Sequence, residues 1–222
     1  MSANEPAELE KIYEARFREN KEYRGQIWSV LLAEFFQKFV KPSDHVLDLG
    51  CGYGEFINQV QCAKKYAMDL NHDALKYLDK SVTFLEQDCS KHWELPDNSL
   101  QVVFTSNFFE HLPDKIALGR TLDEARRCLA PGGRIIAMGP NIKYLPATYW
   151  EFWDHHLPLT ENSMTEALVT RGFQSELNVA KFLPYTMVNQ PRYPIFFLSL
   201  YLKLRPAWGF FGKQFLVVAR KK

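Results

Sequence analysis

The chain has no surplus of charge: its 222 residues carry 27 Lys and Arg against 26 Asp and Glu. A broad nucleic-acid footprint needs a clear basic excess, so nucleic acid is not expected as a partner. Cysteine is scarce too, and Cys51, Cys62, Cys89 and Cys128 form no CxxC pair. That pattern excludes a zinc ribbon or a disulfide scaffold, and reduced thiols in a cytoplasmic protein are expected. No apolar run reaches the roughly 18–20 residues of a spanning helix. The N-terminus is polar and acidic, unlike a signal peptide. There are no internal repeats and no low-complexity linkers. At this length residues 1–222 can form one domain with a full core.

What is present is a glycine loop. Val46 to Leu49 reads as a short apolar strand carrying Asp48, and Gly50, Gly52 and Gly54 follow at every second position. Glu55 to Val60 can then begin a helix. Alternating glycines allow a tight turn and remove the Cβ atoms that would hold a ligand off the backbone. Such a loop, between a strand and a helix N-terminus, is where open α/β sheets bind nucleotide-like cofactors. The dinucleotide fingerprint places its third glycine one position later, and a P-loop would continue with Gly-Lys-Ser/Thr. An ordinary structural turn is the other reading of three glycines.

The surrounding spacing argues against the plain turn. A second strand, Lys65 to Met68, ends at Asp69, an acid about 20 residues beyond the loop that is placed to accept ribose hydroxyls. A third apolar run, Val82 to Leu85, leads into Asp88 and Cys89. A fourth, Leu100 to Phe104, runs into Thr105-Ser106-Asn107-Phe108-Phe109-Glu110-His111-Leu112-Pro113. Leu129-Ala130-Pro131-Gly132-Gly133 turns into a fifth strand. Ser163 to Arg171 is helical, closed by Gly172 and capped by Thr160 or Asn162. Phe173 to Phe182 and Gln214 to Arg220 read as strands six and seven. The alternation implies an α/β fold with a parallel, doubly wound sheet. Before it, Glu8 to Lys41 shows two helical stripes, Leu9, Ile12, Tyr13, Phe17 and then Ile27, Trp28, Leu31, Leu32, Phe35, Phe36, Phe39, with Gly25 as a break between them.

Asp48-Leu49-Gly50-Cys51-Gly52-Tyr53-Gly54 resembles motif I of the class I S-adenosylmethionine-dependent methyltransferases. The landmarks above come in that family's order across residues 20–140. The resemblance implies a Rossmann-like seven-stranded sheet with strand 7 antiparallel beside strand 6. It implies N-terminal helices (1–41), a cofactor-binding core (42–140) and two substrate-cap segments (141–161 and 183–213). It implies S-adenosyl-L-methionine as cofactor and S-adenosyl-L-homocysteine as product. Asp48, Gly50, Cys51, Gly52 and Gly54 would line the loop, Asp69 and Leu70 the ribose, and Asp88 and Cys89 the adenine. Thr105, Asn107 and His111 would lie near the methionine end. Arg24 either reaches the cofactor carboxylate or is a solvated helix-face charge. Where the family often has an acid early in strand 4, this chain has Gln101, which reads as structural.

The acceptor is written elsewhere. Methyl transfer from a sulfonium is an in-line displacement, so alignment and exclusion of water are the main tasks. A hydroxyl acceptor of high pKa also needs a base. His156, His155 and His111 are the catalytic candidates, with His156 preferred; the plain alternative is that one of the 155–156 pair faces solvent and the other caps a loop. Asp154-His155-His156 lacks metal-ligand spacing, so no metal is expected. The aromatic-rich segment 193–213 suits a lid, a homodimer contact or a peripheral membrane contact. The expected acceptor is a hydroxyl of a small molecule or glycan, on which aromatic loops can stack. The stretch from Asp154 to Leu159 resembles segments of bacterial surface-polysaccharide methyltransferases. N- or C-methylation of a small metabolite, or a non-catalytic cofactor-binding scaffold, are the alternatives. The Asn/Asp-Pro-Pro-Tyr/Phe motif of nucleic-acid amino methyltransferases is replaced by Ser106-Asn107-Phe108-Phe109.

Overall fold

Seven strands make one sheet: β1 (His45–Leu49), β2 (Lys64–Asp69), β3 (Val82–Glu86), β4 (Leu100–Ser106), β5 (Leu129–Pro140), β6 (Phe173–Val179) and β7 (Gln214–Lys221). The computed structural model describes residues 21–185 and 193–222. The strand order is β3-β2-β1-β4-β5-β7-β6. The first five strands are parallel, and β7 is antiparallel to both β5 and β6. Both faces of the central strands are covered: Val46 to Leu49 are buried without alternation, as are Val102 to Thr105. That is the pattern of a parallel sheet flanked on both sides. The chain runs outward from β1 to β3 and returns to β4, so β1 and β4 flank the topological switch point. A crevice opens there at their C-terminal ends. Gln101 has the structural role expected, since its Oε1 accepts the amide of His45 at 2.8 Å and ties β4 to the start of β1.

One face of the sheet is covered by α1 (Lys21–Leu31), which continues as a π turn over Leu32–Phe36 and a 3-10 turn over Gln37–Phe39. Gly25 lies inside α1 and does not break it; a side chain there would meet nothing within 4 Å. The wider π turn brings Leu31, Leu32, Phe35 and Phe36 all inward, where Phe36 meets Phe104 edge-on at 5.2 Å. The stripe at Leu9, Ile12, Tyr13 and Phe17 lies outside the described residues.

The opposite face carries α2 (Lys115–Cys128) and α3 (Glu161–Val169). Asp114 caps α2 by accepting the Ala117 amide at 2.7 Å. Thr160 caps α3 through a reciprocal pair of bonds with Ser163. Of the two caps read from the sequence, Thr160 is the one used.

Three further expectations are corrected. The helix after the glycine loop does not form, and residues 55–59 make turns. Gln59 Nε2 takes the Glu55 carbonyl at 2.9 Å, and its own amide bonds back to Phe56 in a tighter turn at 3.1 Å. Asn58 and Val60 keep i→i−4 bonds to Gly54 and Phe56 at 3.0 Å, so a single turn forms and the helical ladder breaks at Gln59. Strand β6 ends at Val179, short of Phe182, which instead turns into the core beside Phe35 and Trp208.

The apolar segment near the C-terminus is also not a loop. It folds as α4 (Phe196–Lys203) and α5 (Arg205–Phe211). These helices bury Leu202 and Trp208 and lie against the π turn, where Ser199 Oγ and Lys203 Nζ both reach Glu34. Their other side leaves Phe196, Phe197, Phe210 and Phe211 exposed. Among the described residues no helix is long and apolar enough to cross a membrane.

Candidate functional site

The glycine loop begins where β1 ends. Gly50, Gly52 and Gly54 all have positive φ, a conformation that side chains with a Cβ rarely adopt. The Gly50 amide bonds the Met68 carbonyl of β2 at 2.9 Å, which carries the β1–β2 pairing into the loop. Space is as restricted as the backbone: a Cβ on Gly50 would lie 2.2 Å from Cγ of Phe108, in the segment after β4. The loop and that segment therefore touch.

Asp69, at the end of β2, is buried and accepts two amides, Gly52 at 3.0 Å through Oδ2 and Asn71 at 2.9 Å through Oδ1. Burial raises the pKa of Asp48 well above the ordinary carboxylate value, and the charges of Glu55 and Asp69 push it the same way. Burial also raises the Cys51 thiol. Arg24 reaches the loop from α1, where it pairs with Glu55 at 2.6 Å. Glu55 had no role in the sequence reading; its acid sits in the stretch read as the start of a helix.

Leu70 is exposed beyond Asp69. Asp88 Oδ1 accepts the amide and hydroxyl of Ser90 at 2.9 and 2.7 Å, closing the turn after β3. Cys89 is buried, and its sulfur lies 3.4 Å from the Thr121 hydroxyl. On β4, Thr105 is buried, and its Oγ1 has no hydrogen-bond partner among the described residues. Asn107 holds a positive φ of 50° and bonds the Met138 carbonyl through its amide at 2.9 Å.

Three residues past Asn107, the chain meets the segment that follows β5. The Glu110 carbonyl accepts the amides of His156 and Leu157 at 2.8 and 3.0 Å. This clasp brings Glu110, His111, Asp154 and His155 into one cluster. Asp154 reaches His111 Nδ1 through both its carbonyl oxygen, at 3.0 Å, and its carboxylate, at 3.2 Å. His111 Nε2 lies 3.9 Å from Glu110 Oε1. Burial alone would lower the His111 pKa, but the hydrogen bond to Asp154 and the charges of Glu110 and Asp154 outweigh it, and the net shift is upward.

His155 is buried, stacked on Phe152 with ring centroids 4.8 Å apart and edge-on to Tyr149 at 4.8 Å. Tyr149 is itself fixed by donating to the Leu157 carbonyl. His156 is half-buried, with Nε2 shielded from solvent and lacking a hydrogen-bond partner among the described residues. Of the contiguous Asp154-His155-His156 triplet, Asp154 turns to His111. The ligand-bearing atoms that do converge belong to Glu110, His111 and His155, all within 4.8 Å of one another. Glu110 is a site residue to which the sequence pattern assigns no role. Its signal was the adjacent His111 alone; its partners lie about forty residues away.

Residues 47–137 match the family model described as a methyltransferase domain. The chain is 34% identical over 117 residues to phosphoethanolamine N-methyltransferase 1 of Arabidopsis thaliana, a match covering 46% of this chain and 22% of that protein. It is 25% identical over 198 residues to demethylmenaquinone methyltransferase of Symbiobacterium thermophilum, covering 82% and 77% of the two chains. In structure it resembles a SAM-dependent methyltransferase from Archaeoglobus fulgidus, with a TM-score of 0.68 and 20% identity, covering 96% and 99% of the two chains. The glycine loop and the mixed seven-stranded sheet with β7 antiparallel give the chain the fold of the class I S-adenosylmethionine-dependent methyltransferases, and residues 47–137 within it match a methyltransferase domain. S-adenosylmethionine is the cofactor of that family.

Proposed function

We propose that the protein transfers the sulfonium methyl of S-adenosyl-L-methionine to a hydroxyl of a small-molecule or glycan acceptor, with His156 taking the hydroxyl proton. The observation that carries this reading is His156. Its amide is clasped by the Glu110 carbonyl at 2.8 Å, and its Nε2 is shielded without a partner among the described residues. A histidine anchored through its backbone, with an uncommitted ring nitrogen, can accept a proton. In the displacement the acceptor oxygen forms its bond to the methyl carbon as the carbon–sulfur bond breaks. Sulfur keeps the electron pair, leaving S-adenosyl-L-homocysteine, and the hydroxyl proton passes to His156.

The donor side of the reading rests on Asp69 for the ribose and Asp88 for the adenine. The loop amides and glycines 50, 52 and 54 would pass the methionine portion, with Thr105, Asn107 and His111 beyond it and Arg24 held at the loop by Glu55. Loops on a rigid scaffold set substrate choice, which supports 141–161 as part of the acceptor side.

The likeness to a phosphoethanolamine N-methyltransferase favours a second reading, an amine acceptor. An acceptor panel of hydroxyl and amine compounds with labelled cofactor separates the two by the product formed. His156→Ala should lower turnover at least tenfold with cofactor affinity unchanged; unchanged turnover retires it as the base. Binding of neither S-adenosylmethionine nor S-adenosylhomocysteine would sink the whole reading. Binding without transfer to any acceptor would favour a scaffold role.

A further inference from the structure

We propose that Glu110, His111 and His155 bind one first-row divalent metal ion at the acceptor end of the crevice. Their ligand atoms already lie within 4.8 Å of one another. Two imidazoles and one carboxylate, with further positions open, are the donor set of many catalytic zinc and non-haem iron sites.

The arrangement around each donor fits that use. His111 receives Asp154 at Nδ1, from the carbonyl oxygen at 3.0 Å and the carboxylate at 3.2 Å. With both oxygens accepting, the proton of a neutral ring sits on Nδ1, and Nε2 presents a lone pair. A carboxylate behind a histidine is the usual outer support of a metal-ligating imidazole, because it fixes the ring and raises its basicity. Asp154 is thus a positioning residue. His155 is held between Phe152 and Tyr149, so its ring has little freedom to swing away. The clasp of Glu110 onto His156 and Leu157 locks the two contributing segments together.

The gap between two of the donors also suits an ion. His111 Nε2 and Glu110 Oε1 are 3.9 Å apart, too far for a hydrogen bond. Two ligands on a tetrahedral ion with bonds of roughly 2.1 Å stand about 3.4 Å apart, so only a small closure is needed. Burial adds a reason. Glu110 and Asp154 are 2% and 4% exposed, and the attraction between a dication and a carboxylate is strongest away from water. The His111 side chain keeps 25% exposure, which leaves one side of the cluster open. Resting on the methyl-transfer reading, an ion there would hold the acceptor oxygen and lower its pKa, easing the proton's passage to His156.

The test uses the full chain, stripped with a chelator and titrated calorimetrically with Zn2+, Mn2+ and Co2+. Elemental analysis gives the stoichiometry, and the visible spectrum of the Co2+ form reports the donor set. One ion per chain is expected. His155→Gln and Glu110→Gln should weaken it at least tenfold, Asp154→Asn by 10–100-fold with an altered Co2+ spectrum, and the distant, exposed His72→Ala not at all. If Glu110→Gln fails to fold, His155→Gln decides alone. No saturable 1:1 binding of any of the three ions, unchanged affinity in His155→Gln, or an equal loss in His72→Ala overturns the site. Metal binding is read without cofactor or turnover. A chain that binds the ion but not S-adenosylmethionine would refute the methyl-transfer reading and leave this site standing; the reverse result would do the opposite.

Discussion

Asp69 holds Gly52: the carboxylate at the end of one strand accepts, at 3.0 Å, the amide of the loop that follows its neighbour. The same side chain is therefore both a brace for the glycine loop and the proposed ribose acceptor. Asp69→Ala should cost cofactor binding about 1.5–3 kcal/mol for each hydrogen bond to the charged group that is lost. Calorimetric titration with S-adenosylhomocysteine measures it. An unchanged dissociation constant would remove Asp69 from the site.

Gly50 faces a second constraint in Phe108. Gly50→Ala must hold a φ of +69°, which costs a residue with a Cβ roughly 1–2 kcal/mol, and must also displace a ring whose Cγ would stand 2.2 Å from the new atom. At about 2–4 °C per kcal/mol for a chain of this size, the backbone part alone should lower the Tm by several degrees. Adding Phe108→Ala removes the ring contacts but leaves the Cβ of position 108 at 2.8 Å from the new atom, and it does not relieve the strained φ. The double variant should recover only part of the gap to Phe108→Ala alone, measured by thermal unfolding. Full recovery would mean that φ is not the obstacle; none would mean that Phe108 is not.

The contrast between Gly50 and Glu110 shows what could be read from the sequence. The loop was legible because its conformation is written locally: positive φ demands glycine, and three glycines in five residues announce it. The strands were legible because each is a short apolar run between turn residues, and the matched family domain spans most of them. Glu110 was not, because its position depends on amides from residues 156 and 157 arriving over its carbonyl. No local pattern encodes that meeting. Nor does composition reveal that the helical ladder would break at Gln59. The aromatic stretch now seen as α4 and α5 misled for a related reason. Its periodicity was masked by the aromatics that remain exposed on its outer side.

The four cysteines should react very unequally. Burial pushes the Cys89 thiol up to about 12 and Cys128 up to about 11, and raises Cys51 well above its usual value. Cys62 is also raised, yet it is the one thiol of the four that is not buried. The thiolate is the reactive form, so access and pKa together select Cys62. A disulfide reagent near neutral pH should label one thiol quickly in the folded protein and all four after unfolding. Peptide mapping should place the fast label on Cys62. Two fast thiols, or a fast label elsewhere, would contradict the burial assigned to the other three.

Asp48 gives the cofactor site a proton to lose. Its pKa stands well above the ordinary carboxylate value, from burial first and from Glu55 and Asp69 next. The free protein therefore keeps Asp48 protonated at pH values where an exposed aspartate would be ionised. S-adenosylmethionine brings a sulfonium and an ammonium, and nearby positive charge lowers a carboxyl pKa. Binding should then expel a proton in the window between the lowered and the raised value, and affinity should rise with pH across it. S-adenosylhomocysteine lacks the sulfonium and should expel less. Folding stability has the opposite dependence. A raised carboxyl contributes stability fully below its unfolded pKa and loses it as pH climbs through the folded one, so the free protein weakens across the same window. Bound cofactor, by holding Asp48 ionised, should reduce that loss. Titrations in buffers of different ionisation heat count the protons directly. Binding heats that do not depend on the buffer would mean that no proton leaves, and that Asp48 does not sense the cofactor's charge.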